Sequence, residues 1–384
     1  MITTSKIFDQ FGYLIANKTP FMKRIAFFIP SMAGGGAEKV VVNLLKGMLS
    51  KDVSLDLVLV SATGAYMNQI PPEVHLVNLD TQRVITAIVP LIRYLRQNKP
   101  QVLISHLCHA NVIAALAKEL AFTDTQLILV EHDTLSVSES KLFRARFVPP
   151  LMKLLYPCAD RIVGVSKAVS QDLETQLNLK KGKVKTIYNP VVNIELMEKA
   201  KAHLDHPWLQ PGSPPVFLAV GRLTLKKDFS TLIKAFANLR QKVTVRLIIL
   251  GEGELRPELE ATIDKLGIAE DVLMPGFVKN PYAYMSRANA FILSSLWEGL
   301  PTVLIEAMAC GCPVISTDCP SGPGEILAGG KYGELVPTSN VMALSAAMSR
   351  VLESPISKEL STKRAMYFSF ERAVSEYAAL STNT

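Results

Sequence analysis

No run of 18 or more apolar residues occurs in this 384-residue chain, although 49% of it is hydrophobic and its mean hydropathy is +0.24. Nothing in it therefore reads as a membrane-spanning helix. The first 21 residues lack the basic region, apolar block and cleavage site of a secretory signal. They read as an extension ahead of Met22-Lys23-Arg24, an alternative start that leads directly into an apolar strand. The five cysteines (Cys108, Cys158, Cys310, Cys312, Cys319) are odd in number and form no Cys-x-x-Cys pair. Cys310-Gly311-Cys312 with Cys319 lacks the spacing of a zinc site. Buried thiols kept reduced in the cytosol, or on its membrane face, are the expectation. No Gly-Lys-Ser/Thr loop is present, so phosphoryl transfer from a nucleotide is unsupported. No Asp-x-Asp pair is present to hold a divalent ion on a nucleotide diphosphate, so positive side chains and helix dipoles must neutralise such a ligand.

What is present is a basic surplus of +7, with a pI of about 9.0. Such a charge suits nucleic acid, an anionic membrane face or phosphorylated substrates. Aromatics are only 7% and no Lys/Arg block interleaves with them, so no nucleic-acid partner is expected. Short apolar runs at 24–29, 53–60, 102–104, 126–130, 161–165 and 184–188 read as strands, with helices between them at 37–50, 84–97, 111–121 and 168–176. After a Pro-rich connector at 203–215 the alternation restarts. Strands are expected at 216–220, 245–250, 271–274, 290–293 and 313–316, and helices at 230–239, 254–266, 301–310, 339–352 and 371–380. Continuous apolar strands alternating with helices imply parallel, doubly wound sheets. The chain is thus an α/β protein of two such domains facing a cleft, with ligands at the carboxyl ends of the strands.

Four loops fall at those ends. Gly34-Gly35-Gly36 precedes a helix, where close backbone approach and free N–H groups favour an anion. A nicotinamide fingerprint is disfavoured there, because Lys39 replaces its third glycine and Asp56 lies inside a strand. Gly221-Arg222-Leu223-Thr224-Leu225-Lys226-Lys227 opens the second half with a guanidinium and ammonium groups suited to a diphosphate, with no nearby acid to neutralise both Arg222 and Lys227. Gly276-Phe277-Val278 follows a strand, where Phe277 could hold a base or sit in the core. Leu296 to Glu306 places Glu298 in a Gly/Pro turn and Glu306 in the following helix, with Pro301 suited to its first turn. Among the histidines, His75, His203 and His206 read as structural or solvated, and His106 or His109 as a cap or core residue. His132 stands at the cleft edge, just past a buried strand.

These motifs (Gly34–Gly36, Gly221-Arg222 with Lys227, Gly251-Glu252-Gly253, and Glu298 with seven residues before Glu306) resemble those of a retaining GT-B glycosyltransferase of group 1, family 4. The resemblance runs over nearly the whole chain from Lys23. It implies a GT-B fold of two Rossmann-like domains: an extension at 1–21, an acceptor-binding domain at 22–205, a nucleotide-sugar domain at 206–367 and a helix at 368–384 that crosses back. It implies that Gly35 and Gly36 approach the donor, that Arg222 and Lys227 hold its diphosphate, and that Glu306 holds the ribose. Glu298 and the backbone of Gly299, Leu300, Pro301 and Thr302 would hold the sugar, with Phe277 and Val278 at the base. His132 would contact the sugar or the transition state, making His132, Glu298, Arg222 and Lys227 the catalytic set. One departure is Asp228, where family members often carry glycine, which favours Lys226 as a substitute for Lys227.

The implied reaction moves a hexose or N-acetylhexosamine from a nucleotide-diphosphate sugar to a lipid-linked saccharide, lipopolysaccharide or polysaccharide, with no metal and no cofactor. The stretch 318–327 resembles members using UDP-linked N-acetylhexosamines or galactose. At 141–156, Phe143, Phe147, Leu151 and Leu154 interleave with Lys141, Arg144, Arg146 and Lys153, a pattern suited to an anionic membrane surface on the cytoplasmic side. The alternative is a non-catalytic protein that binds sugar nucleotides or glycans.

Overall fold

The computed structural model describes residues 23–49, 51–137 and 148–382. The extension at 1–21, and the part of the basic-apolar segment at 141–147, lie outside them. Two all-parallel sheets organise the chain. The first contains β1 (Lys23–Ile29), β2 (Val53–Leu59), β3 (His75–Asn78), β4 (Val102–His106), β5 (Gln126–Glu131), β6 (Arg161–Gly164) and β7 (Val184–Thr186), in the order β3-β2-β1-β4-β5-β6-β7. The second contains β8 (Val216–Val220), β9 (Arg246–Leu250), β10 (Val272–Gly276), β11 (Ala290–Leu293), β12 (Val314–Thr317) and β13 (Glu334–Val336), in the order β10-β9-β8-β11-β12-β13. Strands such as Phe27-Phe28-Ile29 and Leu247 to Leu250 are buried on both faces, because helices cover each side of each sheet.

Each order reverses direction once, between β1 and β4 in the first lobe and between β8 and β11 in the second. At such a switch point the two loops leave the sheet on opposite sides and open a crevice past the strand ends. One crevice is flanked by the glycine loop after β1 and by His106 at the end of β4. The other is flanked by Gly221-Arg222 after β8 and by the loop to Glu298 after β11.

Several elements lie outside the bounds read from the sequence, three of them for identifiable reasons. β3 is an edge strand with exposed residues, and β13 has three residues, too few to show a period. The helix Lys358–Ala365 buries only Ser361 and Ala365 and so has no apolar stripe. The helix Ile194–Lys201 has a clearer start signal, since the Asn193 side chain accepts from the Leu196 amide 2.8 Å away.

The lobes touch extensively. A buried apolar cluster runs from the first sheet to Leu300, Leu304 and Ile305 of the second lobe. The last helix, Phe370–Thr382, packs on the first, Gly36–Met48. It seats at Gly47, where a Cβ would lie 2.3 Å from Val374. Among the described residues, no helix is long and apolar enough to cross a membrane. Cys312 and Cys319 are buried as expected, but Cys158 is exposed, because it ends a short surface turn after the helix Val148–Leu155.

Candidate functional site at the interlobe cleft

In the second lobe, glycines let three strand ends stack backbone on backbone. The Gly221 amide donates to Leu250 O at 3.0 Å, Leu223 to Glu252 O at 2.9 Å, and Gly251 to Gly276 O at 2.9 Å. Gly251 has φ +139°, and a Cβ there would stand 2.0 Å from the Gly221 carbonyl oxygen. At Gly253 a Cβ would stand 2.4 Å from Leu223 O. Any side chain at either position would push the loops apart. With the backbone spent on this interlock, Arg222 is exposed, and among the described residues no carboxylate pairs with it. The chain then makes a turn, Leu225–Lys227, closed by Asp228 at φ +44°. The Asp228 carboxylate accepts from the Thr231 amide at 3.2 Å and caps the next helix. The residue that departs from glycine thus caps that helix.

The expectation that no acid neutralises Arg222 and Lys227 is corrected for Lys227. Lys227 Nζ lies 2.5 Å from Glu298 Oε1, and Lys226 Nζ lies 3.4 Å from Glu298 Oε2. The two lysines and the glutamate are 71 residues apart or more, so only the closing of β11 beside β8 brings them together. Ser295 Oγ donates to the same carboxylate at 2.8 Å. Burial alone would raise the Glu298 pKa, but the two ammonium groups overcome it and hold the carboxyl below its ordinary value. Lys226 also reaches across the cleft to Asp133, 2.9 Å away.

In the first lobe the glycine loop ends at Gly35, which precedes the helix Gly36–Met48 without a side-chain cap. Its first N–H groups are left for another partner. One turn inside, Lys39 points at the second lobe: its Nζ lies 2.5 Å from Glu306 Oε1 and 2.5 Å from the Tyr282 hydroxyl. Burial would lower the Lys39 pKa, yet Glu306 and Tyr282 raise it above the ordinary lysine value. Gly36, Lys39, Thr302 and Glu306 line one small crevice. The residue that breaks the nicotinamide fingerprint is thus an interlobe contact to the expected ribose carboxylate. At the base position, Phe277 is 73% exposed and so is not core, whereas Val278 packs partly buried against the core.

His132 follows β5 at the cleft. One ring nitrogen, Nε2, lies 3.0 Å from Nδ1 of His106, which is fully buried at the end of β4. Burial lowers the His132 pKa to about 4, so the ring is neutral near pH 7. The His132 carbonyl abuts Gly299 of the other lobe. Behind it, Glu131 accepts from the Tyr156 hydroxyl and from Asn111 Nδ2, the latter at 2.7 Å. Burial pushes the Glu131 carboxyl from its ordinary 4.5 up to about 7.

A testable consequence follows from Glu131. Its folded-state pKa is raised, so the folded chain holds a proton that the unfolded chain has lost. Stability should therefore fall as pH rises from about 4.5 to about 7 and then level off. Glu131→Gln keeps an acceptor for Tyr156 and Asn111 and removes the ionisation. It is expected to be more stable than the wild type at pH 8 by roughly 1–3 kcal/mol, with the gain vanishing near pH 5. Denaturation midpoints across that range check this; a gain independent of pH would contradict the assigned cause.

The structure thus brings Lys227 to Glu298, Lys39 to Glu306 and the His132 backbone to Gly299, with Arg222 exposed on the loop that carries Lys227. The sequence offers Lys226 only as a substitute for Lys227, gives no site role to Asp133, Tyr282 or His106, and marks Lys39 only as a missing glycine. Lys226 was visible beside Lys227; the others carry no local signal, because their partners lie on remote strands.

The family described as Glycosyl transferases group 1 matches residues 201–367, and that described as Glycosyltransferase Family 4 matches residues 34–192. Over 347 residues the chain is 32% identical to the N-acetylgalactosamine-N,N'-diacetylbacillosaminyl-diphospho-undecaprenol 4-alpha-N-acetylgalactosaminyltransferase of Campylobacter jejuni, covering 86% of this chain and 91% of that one. A second Campylobacter jejuni relative, GalNAc-alpha-(1->4)-GalNAc-alpha-(1->3)-diNAcBac-PP-undecaprenol alpha-1,4-N-acetyl-D-galactosaminyltransferase, is 28% identical, covering 86% of this chain and 89% of that one. Among solved structures, Anabaena HepE in complex with UDP superposes with a TM-score of 0.74 at 20% identity, covering 93% of this chain and 99% of that one. Sucrose-phosphate synthase from Thermosynechococcus elongatus gives a TM-score of 0.79 at 19% identity, covering 93% and 98%. These structural likenesses establish a shared two-lobed GT-B fold.

Proposed function

This chain belongs to the group 1, family 4 glycosyltransferases, and from that premise we propose a retaining transfer of a hexose or N-acetylhexosamine from a UDP-linked donor to a lipid-linked or polysaccharide acceptor. One observation carries the reading: Arg222, which has no carboxylate partner among the described residues, shares its loop with Lys226 and Lys227, these grip a buried carboxylate on the same switch-point crevice, and the His132 backbone abuts the adjoining Gly299. Such a crevice offers positive charge to a diphosphate and an ionised acceptor to sugar hydroxyls. Two relatives act on diphospho-undecaprenol-linked saccharides and a structural neighbour holds UDP, which supports both ends of the proposed reaction.

In this reading the bond between sugar C1 and the diphosphate oxygen breaks while a bond from C1 to the acceptor hydroxyl oxygen forms on the same face. The acceptor's proton passes to the departing phosphate oxygen. Negative charge grows on the diphosphate as the bond breaks, and Arg222 with Lys227 stabilises it without a metal or cofactor. Lys227 then divides its ammonium between the phosphate and Glu298, while Glu298 accepts from sugar hydroxyls. Glu306 accepts from the ribose hydroxyls, which requires Lys39 and Tyr282 to share that carboxylate or withdraw. The glycine loop and the Gly299 to Thr302 backbone close around the donor, and Phe277 and Val278 lie against the base.

A panel of nucleotide sugars tests the donor assignment. The cognate UDP sugar at 100 times its Kd should add about 2.7 kcal/mol to stability and raise the melting temperature. Release of UDP on adding acceptor separates a transferase from a protein that only binds the nucleotide sugar. A panel in which NAD shifts melting and no nucleotide sugar does would overturn the reading.

The acceptor side is proposed to meet an anionic membrane on the cytoplasmic face. The helix Val148–Leu155 carries Pro149-Pro150 in its first turn and leaves Leu151 (44%) and Leu154 (70%) exposed beside an exposed Lys153. Apolar and basic groups side by side suit lipid headgroups and the acyl boundary. Wild-type protein should co-sediment with vesicles containing anionic lipid, and a variant with Arg144, Arg146 and Lys153 changed to Glu should not; equal sedimentation of both would count against membrane contact.

A further inference from the structure

The His106–His132 pair fixes a chemical property of the cleft that distances alone do not state. Both rings are neutral, since burial lowers both pKa values. Only one proton can therefore occupy the 3.0 Å contact between His106 Nδ1 and His132 Nε2. Two arrangements satisfy this. In one, His132 donates from Nε2, so the proton of His106 must sit on its Nε2. That nitrogen is fully buried and has no hydrogen-bond partner, so it would be an orphaned N–H. In the other, His106 donates from Nδ1 and its Nε2 keeps only a lone pair. An unpaired buried donor is costlier and rarer than an unpaired acceptor. The stacking of the His106 ring on Phe27, with centroids 6.0 Å apart and planes at 15°, holds the ring that makes this choice.

We propose that His106 is a positioning residue that locks His132 as its Nδ1–H tautomer, so that His132 presents a hydrogen-bond donor, and not a base, to the substrate in the cleft. The inference rests on the placement of His132 in the donor site proposed above. Nδ1 of His132 has no partner among the described residues, and the residue is partly exposed. The ligand atom it meets is then an acceptor: a hydroxyl, amide or phosphate oxygen of the nucleotide sugar. It follows that His132 cannot take the acceptor hydroxyl's proton at that nitrogen, which accords with the departing phosphate oxygen as the proton's destination. His106 touches no ligand and acts only through its neighbour.

The test reads the tautomer directly. The protein, with its six histidines labelled with nitrogen-15, is measured by long-range proton–nitrogen correlation, and the His132 signal is identified by its loss in His132→Gln. The expected pattern in wild type is a protonated Nδ1 and a bare Nε2 on His132. A proton on Nε2 of His132, or a doubly protonated ring at pH 7, would overturn the proposal. In His106→Phe, which keeps the stack on Phe27 and removes the ring nitrogens, His132 should shift toward the Nε2–H form. In that variant kcat should fall about tenfold, the worth of one hydrogen bond, with a smaller change in donor KM. An unchanged tautomer in that variant would show that His106 does not set it. The tautomer is measured without substrate, so it decides the proposal even if no nucleotide sugar binds, an outcome that would instead sink the donor-site reading.

Discussion

Arg222→Ala is expected to lower kcat/KM for the nucleotide sugar by one to two decades while leaving the fold intact. The structure gives the reason for both halves of that expectation. Arg222 is exposed and, among the described residues, no carboxylate pairs with it, so its removal strands no buried charge. Its loop is held by backbone bonds from Gly221 and Leu223, which alanine at 222 does not disturb. What is lost is a charge-assisted hydrogen bond to a group whose charge grows in the transition state, worth about 1.5–3 kcal/mol, and each 1.4 kcal/mol is about tenfold in rate. Arg222→Lys should restore part of the rate, because it keeps the charge but not the forked geometry. Glu298→Gln should cost a similar factor for a different reason: it removes the partner of Lys227 as well as an ionised acceptor for sugar hydroxyls. Steady-state kinetics with purified protein decide this. If Arg222→Ala transfers sugar at the wild-type rate, the diphosphate is held elsewhere.

Gly299→Ala is expected to cost about 100-fold, the upper end of that range, through geometry rather than charge. A Cβ at 299 would stand 1.7 Å from the His132 carbonyl oxygen and 2.7 Å from its carbon. Backbone on one lobe would collide with backbone on the other, and neither can rotate away as a side-chain end could. The least costly response is for the lobes to separate at this point, which carries Glu298 and Lys226 together away from Asp133 and the His132 edge. A displacement of about 1 Å between reacting groups is enough for a loss of that size. The contact is between lobes rather than within one core, so far-ultraviolet dichroism should remain native while transfer is lost. Full activity in a folded Gly299→Ala protein would mean that the contact with His132 is not made in the working enzyme.

The two predictions draw on features that differ in how visible they are along the chain. Arg222 could be singled out from sequence because it follows an apolar strand and a glycine, a local pattern. The strand–helix alternation is local in the same way: a strand buried on both faces must be apolar throughout, and a helix start needs groups such as Ser166 or Asp228 next to it. β3 and β13 escaped because an exposed edge and a three-residue strand carry too little apolar signal. The helix Lys358–Ala365 escaped because it has almost no buried face.

The sequence by itself determined the class of the fold, the positions of the glycine loops and the identity of the charged groups, because each follows from neighbours a few residues away. Tertiary structure alone decided which charges meet. Lys227 meets Glu298 because β11 lies beside β8, Lys39 meets Glu306 because one lobe closes on the other, and His106 meets His132 because β4 and β5 are adjacent. Those pairings set whether each group is ionised and which proton it carries. They depend on distances between residues far apart in the chain, and no local pattern of residues records them.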